Sequence, residues 1–266
     1  MPKAFVNGIE IAYKVEGRGD PLLLIGGYTM VKEAWQELAD RLSPHFTVIT
    51  FDNRGVGQST VSQEPFTITD MARDAAELMG QMGISSAHVF GISMGGLIAQ
   101  LLALDYPHKV GKVALGCTTH GGREAVAPSP QVLELLAKAA DPNIPPEEAV
   151  RMRVPFLFGP GFLEEKRDLV EKWVEMAVRY APSPKGAEGQ MRALSRFNSR
   201  ERLSDIRCPV LVITGSEDHL IPPENSELLA KRIPGAKLHM VEGAGHLFFV
   251  EKPDEVSQIL KEFFSS

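Results

Sequence analysis

The sequence is poor in cysteine and in long apolar stretches. Its two cysteines, Cys117 and Cys208, are too far apart to form a metal-binding or redox motif, and each lies in or beside an apolar run, as buried thiols do. No window approaches the roughly 20 consecutive apolar residues that a membrane-spanning helix requires, and the first residues lack the apolar stretch of a signal peptide. We therefore expect a cytoplasmic protein that does not have a membrane as its partner.

An excess of positive charge is also missing. The chain has 34 acidic and 28 basic residues, a net charge of −6, and these residues form no long runs. Nucleic acids and anionic membranes require clustered lysine and arginine, so we expect no nucleic-acid partner. The apolar share of 44% is that of an ordinary globular protein, long enough for two small domains or for one α/β domain with an insertion.

Short apolar runs alternate with helical stretches along most of the chain. The run at 22–25 (Leu-Leu-Leu-Ile) is apolar on both faces, as in a parallel strand that is covered on each side. Other strand-like runs lie at 9–16, 46–51, 87–90, 110–115, 210–213 and 237–241. Helical stretches lie between them at 32–42, 68–82, 95–106, 224–232 and 253–264. The alternation predicts an α/β protein with a doubly wound, mostly parallel sheet.

The alternation stops between about residues 121 and 204. This part contains no buried-strand run, but stretches with a helical apolar face, such as 131–140 and 163–180. We predict a helical cap, or lid, over 122–204, inserted into a core that consists of residues 1–121 and 205–266.

Residues 91–95 (Gly-Ile-Ser-Met-Gly) fit the pattern G-x-S-x-G, in which a serine stands at a sharp turn between a strand and a helix. An apolar strand precedes the motif and an apolar helix follows it, which is the required context. A side chain at Gly91 or Gly95 would collide with the neighbouring strand or helix. The motif could also be an ordinary tight turn, but the strand before it and the apolar helix after it favour Ser93 as a nucleophile.

A serine hydroxyl needs a base within hydrogen-bond reach. His246 ends a glycine-rich loop between the last strand and the last helix, and His219 is a weaker competitor beside an acidic residue. A carboxylate should orient the base, and Glu217 and Asp218 both follow the strand at 210–213. Position alone leaves both choices open, and Asp218 could also be a helix cap or turn residue.

These motifs resemble those of the α/β-hydrolase superfamily, over the whole chain. Residues 51–59 also look like that family's D-x-R-G-x-G-x-S loop, which we interpret as a structural turn that lines the site. The resemblance implies the α/β-hydrolase fold, with an eight-stranded sheet and a triad in the chain order Ser93, Asp218, His246. It selects Asp218 because Leu-Ile-Pro follows, as in the D-x-x-[IV]-P pattern of relatives.

One loop departs from the family pattern. Relatives usually carry His-Gly-x-x after the third strand, whereas this chain has Gly-Gly-Tyr-Thr at 26–29. The resemblance implies that this loop supplies a backbone N–H, here of Tyr28, which forms an oxyanion hole with the N–H of Met94. Because a backbone donor does not depend on the histidine side chain, we expect the oxyanion hole to be retained and the adjoining pocket to differ in shape.

Within the superfamily, the serine motif, the run at 115–119 and the modest cap look most like 3-oxoadipate enol-lactonases and small carboxylesterases. The resemblance implies hydrolysis of a small-molecule ester or lactone through an acyl-enzyme on Ser93, with no metal and no organic cofactor. Three alternatives stay open: a C–C bond hydrolase of aromatic ring-cleavage products, a cofactor-free haloperoxidase-like perhydrolase, and a non-catalytic ligand-binding protein on the same fold. An exposed cap or edge strand could support a homodimer.

Overall fold

An eight-stranded sheet forms the centre of the computed structural model, which describes residues 1–141 and 143–266. Its strands are β1 (Lys3–Val6), β2 (Ile9–Gly17), β3 (Asp20–Ile25), β4 (Phe46–Phe51), β5 (Ala87–Ile92), β6 (Val110–Gly116), β7 (Val210–Gly215) and β8 (Lys237–Val241). They lie in the order β1-β2-β4-β3-β5-β6-β7-β8. Strand β2 is antiparallel to β1 and β4, and the other neighbours are parallel. The predicted mostly parallel, eight-stranded sheet is confirmed.

Helices cover both faces of the sheet. Those outside the β6–β7 connection are α1 (Gln36–Leu42), α2 (Ile68–Gln81), α3 (Met94–Asp105), α9 (Glu224–Arg232), α10 (Phe248–Glu251) and α11 (Pro253–Ser265). Alternate residues of a strand point to opposite faces. Accordingly, Leu23 packs in the apolar cluster that includes α2, α3 and α9, whereas Leu22 and Leu24 pack in the cluster that includes α1, α10 and α11. This two-sided burial explains why the strands are continuous apolar runs.

In the described residues, five α-helices are inserted between β6 and β7. They are α4 (Pro130–Ala139), α5 (Pro146–Leu157), α6 (Pro160–Glu165), α7 (Arg167–Arg179) and α8 (Pro184–Ser195). Four of them begin with a proline, whose fixed φ suits the first helical position and whose missing N–H would have no partner there. The helical stretch predicted at 163–180 is divided at Lys166, which separates α6 from α7. We refer to α4–α8 as the inserted helices.

No helix in the described part of the chain combines the length and the apolar character that crossing a membrane requires.

Candidate active site

Ser93 stands at the turn between β5 and α3, with φ 52° and ψ −121°. A left-handed φ costs a non-glycine residue about 1–3 kcal/mol, so the surrounding structure must hold the turn in place. Two hydrogen bonds do so: Ser93 N donates to Gly116 O at 2.8 Å, and Thr118 Oγ1 donates to Ser93 O at 2.7 Å. Ser93 nevertheless stays partly exposed. An ordinary tight turn would place a glycine at such a φ, and this turn instead presents a hydroxyl.

The two glycines of the motif are required by close backbone packing. A Cβ atom at Gly91 would collide with the carbonyl oxygen of Gly95, in the first turn of α3. A Cβ atom at Gly95 would collide with the carbonyl oxygen of Ile25, at the end of β3. The predicted collisions are confirmed, and they explain how the helix starts directly above the sheet with Ser93 at the apex.

His246 and Asp218 form a buried hydrogen-bonded pair. The imidazole Nδ1 lies 2.8 Å from Asp218 Oδ2, and both side chains are almost completely buried. Asp218 Oδ1 accepts from the backbone N–H groups of Leu220 and Ile221 at 2.9 and 2.8 Å. Asp218 therefore has two roles: Oδ2 contacts the imidazole, and Oδ1 stabilises the turn, which is the alternative role that the sequence allowed.

The competing candidates lie outside this arrangement. Glu217 and His219 flank Asp218 in sequence, but both are exposed. Because β7 ends at Gly215, the chain turns there so that Asp218 faces inward, toward the loop that follows β8. The structure thus brings together the acid and the base that the family pattern selected.

Asp218 also sets the proton affinity of His246. Burial by itself disfavours the charged imidazolium, but the adjacent Asp218 carboxylate, through its charge and its hydrogen bond, outweighs burial and holds the pKa of His246 well above its usual 6.5. The pair therefore stabilises the imidazolium that forms when His246 accepts a proton.

This pKa shift predicts the pH dependence of turnover. A general base must be neutral, so kcat/KM should rise as the pH increases through the raised pKa of His246. We expect the acid limb of the pH–rate profile to lie on the alkaline side of the 6.5 that is usual for histidine. The profile is measured with a neutral ester, so that the substrate does not titrate. An acid limb centred below the usual value would contradict the role of His246.

Cys117 lies beside both His246 and Ser93. Its Sγ is 4.0 Å from His246 Nε2, its backbone has φ 37°, and its N–H donates to Ile213 O at 2.9 Å. Burial raises the pKa of the Cys117 thiol, so it faces the imidazole as a neutral group. The sequence predicted a buried thiol but gave no sign of this contact.

In the part of the chain that the structure describes, no hydrogen bond joins Ser93 Oγ to His246 Nε2. Such bonds are often long in free enzymes and shorten when substrate binds. Ligand atoms of Cys117, Asp218 and His246 lie within 4.8 Å of one another, a cluster that could be mistaken for a metal site. However, Asp218 contacts Nδ1 and Cys117 faces Nε2, so one ion cannot bind His246 while it contacts both of the others.

The loop after β3 runs directly past Ser93. A Cβ atom at Gly27 would lie 3.1 Å from Ser93 Cβ and 3.6 Å from Ser93 Oγ, so a side chain there would press against Ser93. Tyr28 follows on this loop, and Met94 is the first residue of α3. Within the described residues, neither N–H has a hydrogen-bond acceptor. One of these donors follows Ser93 in the chain, and the other belongs to the loop that passes Ser93; their joint role as an oxyanion hole stays a prediction.

Glu251 is a residue of this region that the sequence analysis missed. Its carboxylate accepts from Gly245 N at 2.8 Å, on the loop of His246, and from Gly159 N at 3.1 Å, at the start of α6. Burial raises the pKa of Glu251, against the effect of these hydrogen bonds. It therefore connects the histidine loop to the inserted helices. A lone glutamate before a C-terminal helix carries no signal of such a role.

The loop at 51–59 is a structural turn held by buried charges, and its predicted place in the lining of the site stays a prediction. Asp52 is fully buried and accepts from Lys32 Nζ at 2.7 Å and from Gln58 N at 2.9 Å. Arg54 is paired with Asp74, also buried, through two hydrogen bonds. Asp52 and Arg54 are therefore both neutralised by partners inside the core.

Comparisons with known proteins identify the family to which this fold belongs. A family model described as the alpha/beta hydrolase fold matches residues 20–253. A provisionally assigned carbamate hydrolase, RutD, of Azorhizobium caulinodans is 31% identical over 268 aligned positions, which cover 99% of this chain and 98% of that protein. A poly(3-hydroxyalkanoate) depolymerase of Ectopseudomonas oleovorans is 32% identical over 248 positions, 91% of this chain and 83% of the depolymerase.

Among solved structures, an enol-lactonase from Burkholderia xenovorans LB400 is 26% identical, with a TM-score of 0.87 over 100% of both chains. The family match, the relatives and the fold agree from β3 to the start of the last helix. The chain belongs to the α/β-hydrolase fold family.

Proposed function

We propose that the chain is a serine hydrolase that cleaves a small carboxylic ester or lactone through an acyl-enzyme on Ser93. One observation carries the proposal: a partly exposed serine stands at a left-handed turn, and Cys117, which adjoins the strand end that holds this turn, contacts the buried, hydrogen-bonded pair of His246 and Asp218. Cys117 links Ser93 to His246. Its Sγ lies 4.0 Å from His246 Nε2, and the residue before it, Gly116, accepts a hydrogen bond from Ser93 N.

The cycle is acyl transfer. Ser93 Oγ attacks the carbonyl carbon while His246 Nε2 takes the hydroxyl proton, and Asp218 keeps the other ring nitrogen protonated and oriented. The N–H groups of Tyr28 and Met94 stabilise the oxyanion. As the tetrahedral intermediate collapses, His246 protonates the leaving alkoxide and the acyl group stays on Ser93. Water, deprotonated by His246, then attacks the acyl-enzyme and releases the carboxylic acid and free Ser93. The cycle requires no metal or organic cofactor.

The inserted helices act as the cap of this site in our proposal, with the core at 1–121 and 205–266 and the cap at 122–204. Leu247 N, next to His246, donates to Leu157 O at the end of α5 at 2.8 Å. Phe158 follows and is buried against Phe162 and Trp173, with ring centroids 5.3 and 6.2 Å away. Phe158 shares an apolar cluster with Phe248 and Phe249 of the core, so these aromatics pack between cap and core.

The substrate class is tested with a panel of compounds. The enol-lactonase and the depolymerase among the relatives support esters and lactones. The carbamate hydrolase, at 31% identity over nearly the whole chain, makes carbamates the second candidate. The panel holds p-nitrophenyl esters of graded acyl length, lactones, p-nitrophenyl carbamates and a ring-cleavage dienoate. We expect the highest kcat/KM among the short esters or lactones. A preference for the dienoate would overturn the proposal.

Fluorophosphonate labelling separates an enzyme from a binding protein. An activated serine takes the label at Ser93, as read by mass spectrometry of the peptide, whereas folded but unlabelled protein would indicate a non-catalytic member of the fold. A cytoplasmic location and a homodimer remain predictions.

A further inference from the structure

Gln190 connects the inserted helices to the loop of the proposed oxyanion hole. It lies on α8 and is fully buried. Its Oε1 accepts from Thr29 N at 2.9 Å, and its Nε2 donates to Arg54 O at 2.9 Å. Thr29 directly follows Tyr28, the proposed oxyanion donor. A side chain of the inserted helices is thus hydrogen-bonded one residue away from that donor.

The turn that carries Tyr28 is strained. Met30 N donates to Gly27 O at 3.2 Å, which closes a four-residue turn whose third residue is Thr29, with φ 59°. Turns that need a positive φ at this position favour glycine, and a β-branched residue there is an outlier. Thr29 would relax to a negative φ if it were released. The hydrogen bond that Thr29 N donates to Gln190 Oε1 opposes this relaxation.

Helix α8 packs closely against the core through two of its glycines. Gly186 packs against Gly55 so closely that a Cβ atom at either position would meet the backbone of the other. Gly189 lies against the ring of Phe66. At this spacing, a side chain of suitable length with both a donor and an acceptor bridges Thr29 N and Arg54 O.

We propose that Gln190 is a positioning residue that holds the Tyr28 N–H in the oxyanion hole, so that the inserted helices contribute to stabilising the transition state. The inference rests on the proposed function. It concerns a step in which negative charge develops on the substrate oxygen, so it affects kcat more than KM.

Gln190→Met keeps the approximate size of the side chain but removes both hydrogen bonds. We expect kcat to fall by about 10- to 30-fold, less than the 100- to 1,000-fold of losing an oxyanion donor outright, because the Tyr28 N–H is displaced but still present. We expect KM to stay within about twofold. An alkylboronic acid, which forms a tetrahedral adduct with serine, should lose affinity in parallel with kcat.

Two further variants separate positioning from a structural role. In Gln190→Glu, burial raises the pKa of the new carboxyl, and its protonated form can accept from Thr29 and donate to Arg54, so both kcat and boronate affinity should lie closer to the wild type. Ser183→Ala removes the N-cap of α8, where Ser183 Oγ accepts from Gly186 N at 3.2 Å. It should lower the melting temperature and leave boronate affinity unchanged.

Hydrogen exchange of the peptide that contains Thr29 gives a readout that does not depend on activity. It should be faster in Gln190→Met than in the wild type or in Ser183→Ala. The inference is overturned if Gln190→Met exchanges at the wild-type rate and keeps wild-type kcat and boronate affinity. It is also overturned if Ser183→Ala loses as much boronate affinity as Gln190→Met. Failure of the proposed function would instead appear in the wild type, as absent turnover and absent fluorophosphonate label.

Discussion

Ser93→Ala should abolish ester hydrolysis and leave the fold intact. Removing the nucleophile of a triad costs on the order of 10⁶-fold in kcat, because attack, proton transfer and the acyl-enzyme are all lost together. The Ser93 side chain makes no hydrogen bond within the described residues, and its backbone bonds to Gly116 and Thr118 do not involve the hydroxyl. Alanine tolerates φ 52° no worse than serine does, so the melting temperature should stay close to that of the wild type.

The measurement is steady-state turnover of the best ester in the panel, with circular dichroism as the control for folding. Ser59→Ala is a matched serine variant, because Ser59 Oγ is hydrogen-bonded to the backbone of Asp52 and Ala12 in the core. It should lose stability and keep ester turnover per folded molecule. A Ser93→Ala protein with wild-type turnover would show that the hydrolysis belongs to another group.

Much of the site was predictable from sequence because it depends on local backbone chemistry. The turn at Ser93 needs a glycine two positions before it and another two positions after it, and this short spacing forms a motif that is visible in the sequence. The apolar runs predicted the sheet because strands that are covered on both faces have no polar side. The choice of Asp218 over Glu217 required the family pattern, since both follow the same strand and only the structure shows which one is buried.

The contacts that tie the site to the rest of the molecule could not be predicted. Gln190 lies 161 positions from Thr29 and is bonded to it, and Glu251 reaches Gly159 across 92 positions. A glutamine in an amphipathic helix has no distinctive neighbours in sequence, so its partner depends on how α8 packs. Cys117 shows the same limit, since burial was predictable from its apolar run but its place beside His246 required the register of β6 against β7.

Asp218→Asn should reduce kcat/KM by about 10⁴-fold, the scale found when the acid of a serine triad becomes an amide. The amide is close in size to the carboxylate and can still accept from Leu220 and Ile221, so the turn should persist. What changes is the group that faces His246 Nδ1. An amide NH₂ in that place favours the tautomer with the proton on Nε2, where the imidazole can no longer accept a proton from Ser93. The loss of the negative charge also removes the stabilisation of the imidazolium.

Glu217→Gln is the matched control, since it makes the same chemical change at the neighbouring position on an exposed side chain. It should keep turnover within about twofold of the wild type, as surface substitutions away from the chemistry usually do. The two variants also differ in their pH profiles. In Glu217→Gln the acid limb should stay where the Asp218 carboxylate places it, whereas the residual activity of Asp218→Asn should have an acid limb shifted to lower pH, because the main group that raises the pKa of His246 is gone. If the larger loss occurred in Glu217→Gln, the acid of the triad would have to be reassigned, and with it the buried pair on which the proposed function depends.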